Sequence, residues 1–206
     1  MNPAMNPRPG GDNLERRHAA AQSGAAGTRP APRPGGTAEL AAIKLIIFDV
    51  DGVLTDGQIV IDARGVESKH FHVRDGFAIK AAMAMGLRVG ILSGRTSRAT
   101  ALRVEELGVD LCLQGAADKA VGIETLCQKA GVLPEEAAYV GDDLIDLPAL
   151  MRCGYPIAVA DAVSQVRAAA RYVTEAPGGR AAAREAIEHI LSAQGRWDEV
   201  IERFGV

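Results

Sequence analysis

The stretch from Lys44 to Gly57 constrains the fold of this chain more than any other. An apolar run, Leu45 to Phe48, leads directly into Asp49, Asp51 and Gly52. A short apolar run without alternation is typical of a parallel strand that is buried on both faces. Side chains two residues apart start on the same side of an extended chain, and glycine allows the backbone to turn sharply after them. The sequence therefore predicts two carboxylates at the carboxyl end of a central strand.

Two neighbouring carboxylates repel each other unless a cation or a shared proton compensates their charge. A divalent metal is one such partner, and Mg²⁺ is favoured because the ligands are hard oxygen atoms. The alternative is that the Asp and Gly residues serve only the geometry of a turn. Open α/β sheets bind ligands at the carboxyl ends of their strands, so the residues that follow the other strands help to decide between the two interpretations.

Ser93 and Gly94 follow a second apolar run, Leu87 to Leu92, and precede a predicted helix from Arg95 to Leu107. A hydroxyl group and backbone N–H groups at a helix N-terminus can hold a phosphate group. An ordinary strand-to-helix turn has the same sequence signature, so this segment alone does not decide between a phosphate site and a simple turn.

Lys119 lies in the first turn of another predicted helix, where a cation opposes the helix dipole. A bound anion or a carboxylate partner would explain this position, and a solvated surface lysine is the alternative. A third apolar run, Ala137 to Val140, is followed by Asp142, Asp143 and Asp146. Capping a helix could use one of these carboxylates but does not require three.

The repeated strand-helix order predicts an α/β fold with a doubly wound parallel sheet and right-handed crossovers. In such a sheet all the polar residues described above meet at one edge. Between the first strand and the first long helix, residues 58–61 and 67–73 flank a Gly-containing turn and predict a β-hairpin. The hairpin could cover the site as a flap or pair with another subunit. The next helix is predicted from Phe77 to Met85, with Asp75 as its N-cap.

Composition separates the chain into two parts. Residues 1–40 are rich in Pro, Gly, Ala and Arg and cannot bury enough apolar surface to offset the cost of ordering, so we predict a disordered tail. Residues 41–206 are expected to form one domain. The net charge of −3 excludes a general nucleic-acid or anionic-membrane binder, and no apolar run is long enough to cross a membrane. Three cysteines without pair spacing indicate reduced thiols in a cytosolic protein.

Taken in order, these motifs resemble those of the haloacid dehalogenase superfamily of phosphotransferases. Within it, residues 43–199 resemble the 3-deoxy-D-manno-octulosonate (KDO) 8-phosphate phosphatases. The resemblance rests on segments 49–57, 73–76, 139–146, 159–162 and 178–180. It implies a Rossmann-like core with a hairpin flap and no cap domain, a homotetramer in which the flaps meet, and a role in making KDO for lipopolysaccharide in a Gram-negative cytoplasm.

The resemblance also implies a role for each site residue. Asp49 would be the nucleophile, and Asp51 the general acid and base. Mg²⁺ would be held by Asp49, the Asp51 carbonyl and Asp142. Ser93, Gly94 and Lys119 would hold the phosphoryl group, while Asp143 would orient Lys119 or the metal shell, and Asp146 would support the site. The implied contacts to a phosphorylated sugar acid, some of them across a subunit boundary, are Asp51, His72, Val73, Arg74, Asp75, Gly76, Lys80, Arg95 and Arg103.

Two residues depart from the family pattern and bear on the substrate. His72 stands where Asn is usual, and Lys80 stands where Arg is common. A lysine offers a carboxylate a single point charge, whereas an arginine can bind it through two parallel hydrogen bonds. One alternative is therefore a phosphatase of nonulosonate 9-phosphates, such as those of KDN or sialic acid. A second, of a different class, is a catalytically silent oligomeric or regulatory partner, although the intact Asp49, Asp51, Lys119 and Asp142 speak against it. Dehalogenation is disfavoured because expelling a halide does not need the acid Asp51.

Overall fold

The structure is a computed structural model and describes residues 37–205, so residues 1–36 of the predicted tail lie outside the described residues. Its centre is a parallel sheet of six strands, with a separate antiparallel hairpin of two strands. The predicted doubly wound α/β fold with a hairpin is therefore confirmed. The strands are β1 (Leu45–Phe48), β2 (Val60–Ile61), β3 (Glu67–Ser68), β4 (Arg88–Leu92), β5 (Leu111–Leu113), β6 (Ala137–Gly141), β7 (Tyr155–Ala158) and β8 (Tyr172–Val173).

The strand order of the sheet is β5-β4-β1-β6-β7-β8. Strand β1 therefore lies in the middle and pairs in parallel with β4 on one side and β6 on the other. The chain proceeds from β1 outward to β4 and β5, and from β6 outward to β7 and β8. The loops after β1 and β6 consequently leave in opposite directions, which opens a crevice at the carboxyl ends of these two strands. Strands β2 and β3 form the hairpin.

Helices flank the sheet, and each of those in residues 37–205 is too short or too polar to cross a membrane. Two single turns of 3₁₀ helix, at Pro134–Glu136 and Leu144–Asp146, complete the secondary structure of these residues. The α-helices are α1 (Thr37–Ala41), α2 (Val73–Ala84), α3 (Arg98–Leu107), α4 (Lys119–Ala130), α5 (Leu147–Leu150), α6 (Ser164–Ala169), α7 (Ala182–Ala193) and α8 (Trp197–Glu202).

The predicted boundary between tail and domain, after residue 40, falls inside α1. Leu40 is buried in the core, and the Gln194 side chain donates hydrogen bonds of 2.9 Å to the carbonyl groups of Leu40 and Ile43. These contacts tie α1 to the end of α7.

Two helices begin at other residues than predicted. Helix α2 begins at Val73 instead of Phe77, because the His72 ring accepts a hydrogen bond of 3.3 Å from the backbone N–H of Arg74 and caps the helix. Asp75 is therefore not the N-cap. Helix α3 begins at Arg98, with Ser97 as its cap. The predicted helix N-terminus at Ser93 and Gly94 is consequently wrong, and a short loop separates these residues from the helix.

A polar cluster lies between α7 and the edge of the sheet. His189 accepts or donates a hydrogen bond of 2.9 Å with the hydroxyl of Tyr155, and its ring stacks on Tyr172 at 3.9 Å. The Tyr172 hydroxyl donates to Glu185 at 2.7 Å, and Glu185 also accepts two backbone N–H groups. Burial lowers the pKa of His189, and Glu185 partly opposes this effect.

Candidate active site

Asp49 and Lys119 meet at the carboxyl edge of the sheet. Asp49 follows β1 directly and is only 3% exposed, and its backbone N–H donates to the carbonyl of Val140. Lys119 begins α4, capped by Asp118, and its Nζ lies 2.8 Å from Asp49 Oδ1. The Lys119 side chain is 2% exposed, so the alternative of a solvated surface lysine is wrong.

Asp146 holds Lys119 from the other side. Its Oδ1 accepts hydrogen bonds from Lys119 Nζ at 2.5 Å and from the Tyr139 hydroxyl at 2.6 Å. Its Oδ2 accepts the backbone N–H groups of Asp142 and Asp143. The side chain of Asp143 is exposed and accepts instead from the N–H of Leu144 at 2.7 Å. The contact with Lys119 that we expected of Asp143 is therefore made by Asp146.

The buried cluster carries more negative charge than Lys119 can balance. Burial, reinforced by the charge of Asp146, raises the pKa of Asp49 to about 6 although Lys119 opposes this shift. Burial and the charges of Asp146 and Asp49 raise the pKa of Asp142 to about 8. Burial works to lower the pKa of Lys119, but Asp49 and Asp146 outweigh it and the net shift is upward. The site therefore has the electrostatics of a cation-binding site.

The geometry identifies which oxygen atoms are available to a metal. Oxygen atoms of Asp49, Asp142 and Asp146 lie within 4.8 Å of one another. Both oxygens of Asp146 already accept two hydrogen bonds each. Asp142 and Asp49, which pairs with Lys119 through Oδ1 only, are therefore the better candidates for metal ligands. The turn after β1 packs closely on Asp142: a Cβ atom on Gly52 would lie 2.1 Å from Asp142 Oδ2. The donor set and its spacing fit a small hard cation.

A second loop holds the turn after β1 in place. A Cβ atom on Gly178 would lie 1.8 Å from the carbonyl oxygen of Gly52, so the two backbones touch. The N–H of Gly179 donates to the carbonyl of Val53 at 2.9 Å, and the N–H of Gly178 donates to Asp161 at 2.9 Å. Asp161 therefore fixes this loop.

The charged cluster opens into a cavity of about 470 Å³. Ser93 is buried at its edge, and its Oγ accepts the N–H of Arg95 at 3.1 Å. The predicted convergence of the strand-end residues is present, since they line one cavity. Its lining consists of Asp49, Asp51, Gly57, Ile59, Ser93, Gly94, Arg95, Ala116, Ala117, Lys119, Asp142, Asp143 and Ile145.

Sequence reasoning missed Lys69, which contacts Asp51. Lys69 follows β3 at the end of the hairpin, its side chain is 1% exposed, and its Nζ forms an ion pair with Asp51 Oδ1. Glu67 Oε1 lies 3.6 Å from the same Nζ and 2.6 Å from Arg95 Nη2. Lys69 lies in an irregular segment without periodicity; its position directly after a hairpin arm that follows the acidic turn was the only available signal.

Most of the predicted sugar contacts lie outside the 470 Å³ cavity. Of these residues, Asp51 and Arg95 line it. Val73 and Arg74 are exposed. Lys80 lines a separate groove of about 250 Å³ beside α8. The remaining four, which line a small cavity of about 10 Å³, are His72, Asp75, Gly76 and Arg103.

Asp75 is buried, with 3% of its surface exposed. Its Oδ1 accepts the backbone N–H of Arg184 at 2.8 Å, so it joins the first turn of α2 to α7. Its Oδ2 has no hydrogen-bond partner in residues 37–205. Burial raises the pKa of Asp75.

Comparison with known proteins gives the same picture as the geometry. The haloacid dehalogenase-like hydrolase family matches residues 113–178. The 3-deoxy-D-manno-octulosonate 8-phosphate phosphatase KdsC of Haemophilus influenzae is 46% identical over 158 residues, which are 77% of this chain and 88% of the relative. The KdsC protein of Escherichia coli K12 is 43% identical over 157 residues, which are 76% of this chain and 84% of the relative.

Solved structures of similar proteins share the fold. The phosphatase of Moraxella catarrhalis, in complex with a magnesium ion, a phosphate ion and a KDO molecule, has a TM-score of 0.79 and 39% identity, and the match covers 82% of this chain and 97% of that chain. The cobalt-bound H. influenzae phosphatase has a TM-score of 0.75 and 46% identity, with 76% of this chain and 92% of that chain covered. This chain therefore belongs to the KdsC family of phosphatases within the haloacid dehalogenase-like hydrolases.

Proposed function

We propose that this protein is a cytoplasmic, Mg²⁺-dependent phosphatase that hydrolyses KDO 8-phosphate to KDO and phosphate through an aspartyl-phosphate. The observation that carries the proposal is the buried Asp49 beside Lys119 on the wall of a cavity that Ser93 and Asp142 also line. The relative whose structure contains magnesium, phosphate and KDO supports the choice of substrate.

Asp49 is the proposed nucleophile. Its carboxylate attacks phosphorus, a bond forms between the Asp49 oxygen and phosphorus, and the bond from phosphorus to the sugar oxygen breaks. Asp51, which lines the same cavity, gives a proton to the leaving sugar oxygen. Asp51 then takes a proton from a water molecule whose oxygen bonds to phosphorus, the bond between phosphorus and the Asp49 oxygen breaks, and phosphate leaves with the Asp49 carboxylate restored. The contact with Lys119 keeps Asp49 in one orientation.

Three groups would hold the phosphoryl oxygens. Lys119 offers an ammonium group fixed by Asp146, and the loop at Ser93 and Gly94 offers a hydroxyl and a backbone N–H at the cavity wall. Prepositioned donors of this kind stabilise the charge of the transition state without having to reorganise. Phosphoryl transfer depends mainly on such positioning and charge stabilisation.

Asp49, Asp142 and the backbone carbonyl of Asp51 would hold Mg²⁺. When bound, the ion neutralises the phosphoryl oxygens and allows two anions to approach each other. The free oxygens of Asp49 and Asp142 and the close packing of Gly52 on Asp142 support this assignment. The excess negative charge of the cluster supports it as well.

Arg95 is the proposed partner of the substrate carboxylate within one chain. Its guanidinium lines the cavity and pairs with Glu67, from which a substrate carboxylate could take it over. His72 to Gly76, Lys80 and Arg103 lie away from this cavity. We therefore assign the exposed residues among them, Val73, Arg74 and Lys80, to the cavity of a neighbouring subunit, because the family resemblance implies that some of the sugar contacts cross a subunit boundary.

A homotetramer would provide that neighbour. The hairpin exposes Ile59, Val60, Ile61 and Val66, which is an apolar surface suited to an interface. Ile61→Asp should lower the mass measured by light scattering after size-exclusion chromatography. Leu133→Asp, at an exposed position outside the hairpin, is the matched control and should keep the assembly. An unchanged mass for Ile61→Asp would contradict the assignment of the hairpin to the interface.

Phosphate release tests the proposed function. The substrates are KDO 8-phosphate, KDN 9-phosphate and common sugar phosphates, each measured with Mg²⁺ and with excess EDTA. We expect a clear kcat/KM preference for KDO 8-phosphate that EDTA abolishes. A preference for KDN 9-phosphate would keep the mechanism and replace the substrate. Absence of metal-dependent release from every substrate would overturn the proposal.

A further inference from the structure

We propose that Lys69 is a positioning residue that holds the carboxylate of Asp51 in the orientation needed for proton transfer. This inference rests on the proposed function, in which Asp51 is the general acid and base. Lys69 lies at the end of the hairpin's second arm, so the hairpin would contribute to the chemistry in addition to covering the site.

The contact is asymmetric with respect to the cavity. Asp51 lines the cavity, whereas Lys69 approaches Asp51 from outside the residues that line it. The ammonium group engages Oδ1, which leaves Oδ2 as the oxygen free to exchange a proton with the substrate. A carboxylate with one oxygen fixed has fewer side-chain orientations, and proton transfer needs its donor and acceptor within hydrogen-bond distance.

Burial favours a stable ion pair between Lys69 and Asp51. The Lys69 side chain is 1% exposed, and an ammonium group so far from water is costly unless carboxylates surround it. Asp51 and Glu67 are its two partners. Glu67 is itself anchored by Arg95 at 2.6 Å, so Lys69 is held at the junction between the hairpin and the acidic turn.

Because Lys69 is buried outside the cavity, we expect its role to differ from the phosphate-binding role of Lys119. A lysine that binds substrate faces the cavity, and its loss raises KM. A lysine that acts through Asp51 affects the proton-transfer steps, and its loss lowers kcat while KM stays nearly constant. The effect should also depend on the leaving group: a sugar alkoxide must be protonated as it leaves, whereas p-nitrophenolate leaves without that help.

The experiment compares Lys69→Met, Lys69→Arg, Asp51→Asn and the double variant Lys69→Met with Asp51→Asn. Each is measured for kcat and KM on KDO 8-phosphate and on p-nitrophenyl phosphate with Mg²⁺. Lys44→Met is the matched control, since it removes an exposed lysine paired with Glu136 outside the cavity. Lys69→Gln, which keeps a neutral donor, replaces Lys69→Met if thermal unfolding shows that the Met variant does not fold.

We expect Lys69→Met to lower kcat on KDO 8-phosphate by roughly tenfold to a hundredfold, less than the roughly 10²- to 10⁴-fold typical of losing a general acid and base. The loss of kcat/KM, which reports the steps up to departure of the leaving group, should be smaller on p-nitrophenyl phosphate. KM for KDO 8-phosphate should change less than about twofold, and Lys69→Arg should recover most of kcat. In the Asp51→Asn background Lys69→Met should cost nothing further, because its effect passes through Asp51.

Additive losses in the double variant, equal losses of kcat/KM on both substrates or a KM effect alone would each overturn the role of Lys69 while leaving the proposed function intact. If Asp51→Asn itself keeps wild-type turnover, the assignment of the general acid fails first. The two failures are therefore distinguishable within one set of measurements.

Discussion

Two clusters of partly or fully buried polar groups lie in this domain, and they differ in whether they satisfy their own charges. In the cluster around His189, the tyrosine hydroxyls and Glu185 find partners within the cluster and its adjoining backbone. In the cluster around Lys119, three carboxylates share one ammonium group. Both clusters are built on the same sheet, but only the cluster around Lys119 lies at the carboxyl ends of β1 and β6.

The difference shows how a structural cluster can be told from a functional one. Closed hydrogen-bond networks stabilise and orient an element, here α7 on the sheet edge. A buried excess of like charge costs folding free energy and persists where a ligand compensates it. The raised pKa of Asp142, about 8 because of burial and two neighbouring carboxylates, is the measurable sign of this excess.

The largest expected effect is on Asp49. Asp49→Asn should lower kcat by about 10⁴-fold or more, because an amide is a poor nucleophile toward phosphorus. His189→Phe, in the other cluster, should keep kcat within about twofold of wild type. Phosphate release measures both, and circular dichroism and size-exclusion chromatography check the fold. If the Asp49→Asn enzyme kept a kcat near that of wild type, the assignment of Asp49 as the nucleophile would be wrong.

Magnesium should stabilise the cluster around Lys119 alone. At about a hundred times its dissociation constant, Mg²⁺ should add about 2.7 kcal/mol to the free energy of unfolding, which corresponds to roughly 5–10 °C in Tm. Asp142→Asn should remove most of this shift because it removes a proposed ligand. Differential scanning fluorimetry with Mg²⁺ and with EDTA measures the effect. An equal shift in wild type and variant would place the ion elsewhere.

A matched pair of tyrosines separates stability from activity. Tyr139 donates to Asp146 in the cluster around Lys119, and Tyr155 bonds His189 in the other cluster. Each Tyr→Phe change should cost about 1 kcal/mol, or roughly 2–4 °C in Tm, through the lost hydrogen bond. Only Tyr139→Phe should also lower kcat, by roughly threefold to tenfold, because Asp146 orients Lys119. Equal kcat values would show that this hydrogen bond has no part in catalysis.

The convergence of Asp49, Lys119 and Asp142 was predictable because strand ends in a parallel sheet share one edge. The partner of Lys119 was not, since choosing between Asp143 and Asp146 requires the 3₁₀ turn at Leu144–Asp146 that directs their side chains. The start of α2 was misplaced because His72 is an unusual cap, whereas Asp75 has the composition of a common one. Lys69 depends on how the hairpin folds back, which local sequence does not determine.

The smallest expected effect is a pH dependence of stability. Burial lowers the pKa of His189 in the folded state, so the unfolded state takes up the proton first as the pH falls. This contribution to stability is present above the unfolded pKa, near 6.5, and is lost as the pH falls below it. The Tm of wild type should therefore fall more than that of His189→Phe between pH 7.5 and pH 5.5, by on the order of 1 °C.

The difference between wild type and variant isolates His189. The raised pKa values of Asp49 and Asp142 act with the opposite sign in metal-free protein, since the folded state there holds its protons to higher pH. These contributions are the same in both proteins and cancel. Parallel Tm curves for the two proteins would contradict the prediction that burial lowers the pKa of His189 in the folded state.

The contact between Gly178 and Gly52 has a consequence for how the protein is made. Every proposed reacting group has been synthesised once Asp146 is added, yet the backbone that clamps the turn carrying Asp51 arrives only later, with Gly178 and Gly179. A nascent chain that stops before this loop holds the full set of catalytic side chains without the support that fixes their geometry. The proposed site therefore takes its final geometry only when this loop has folded back onto the turn.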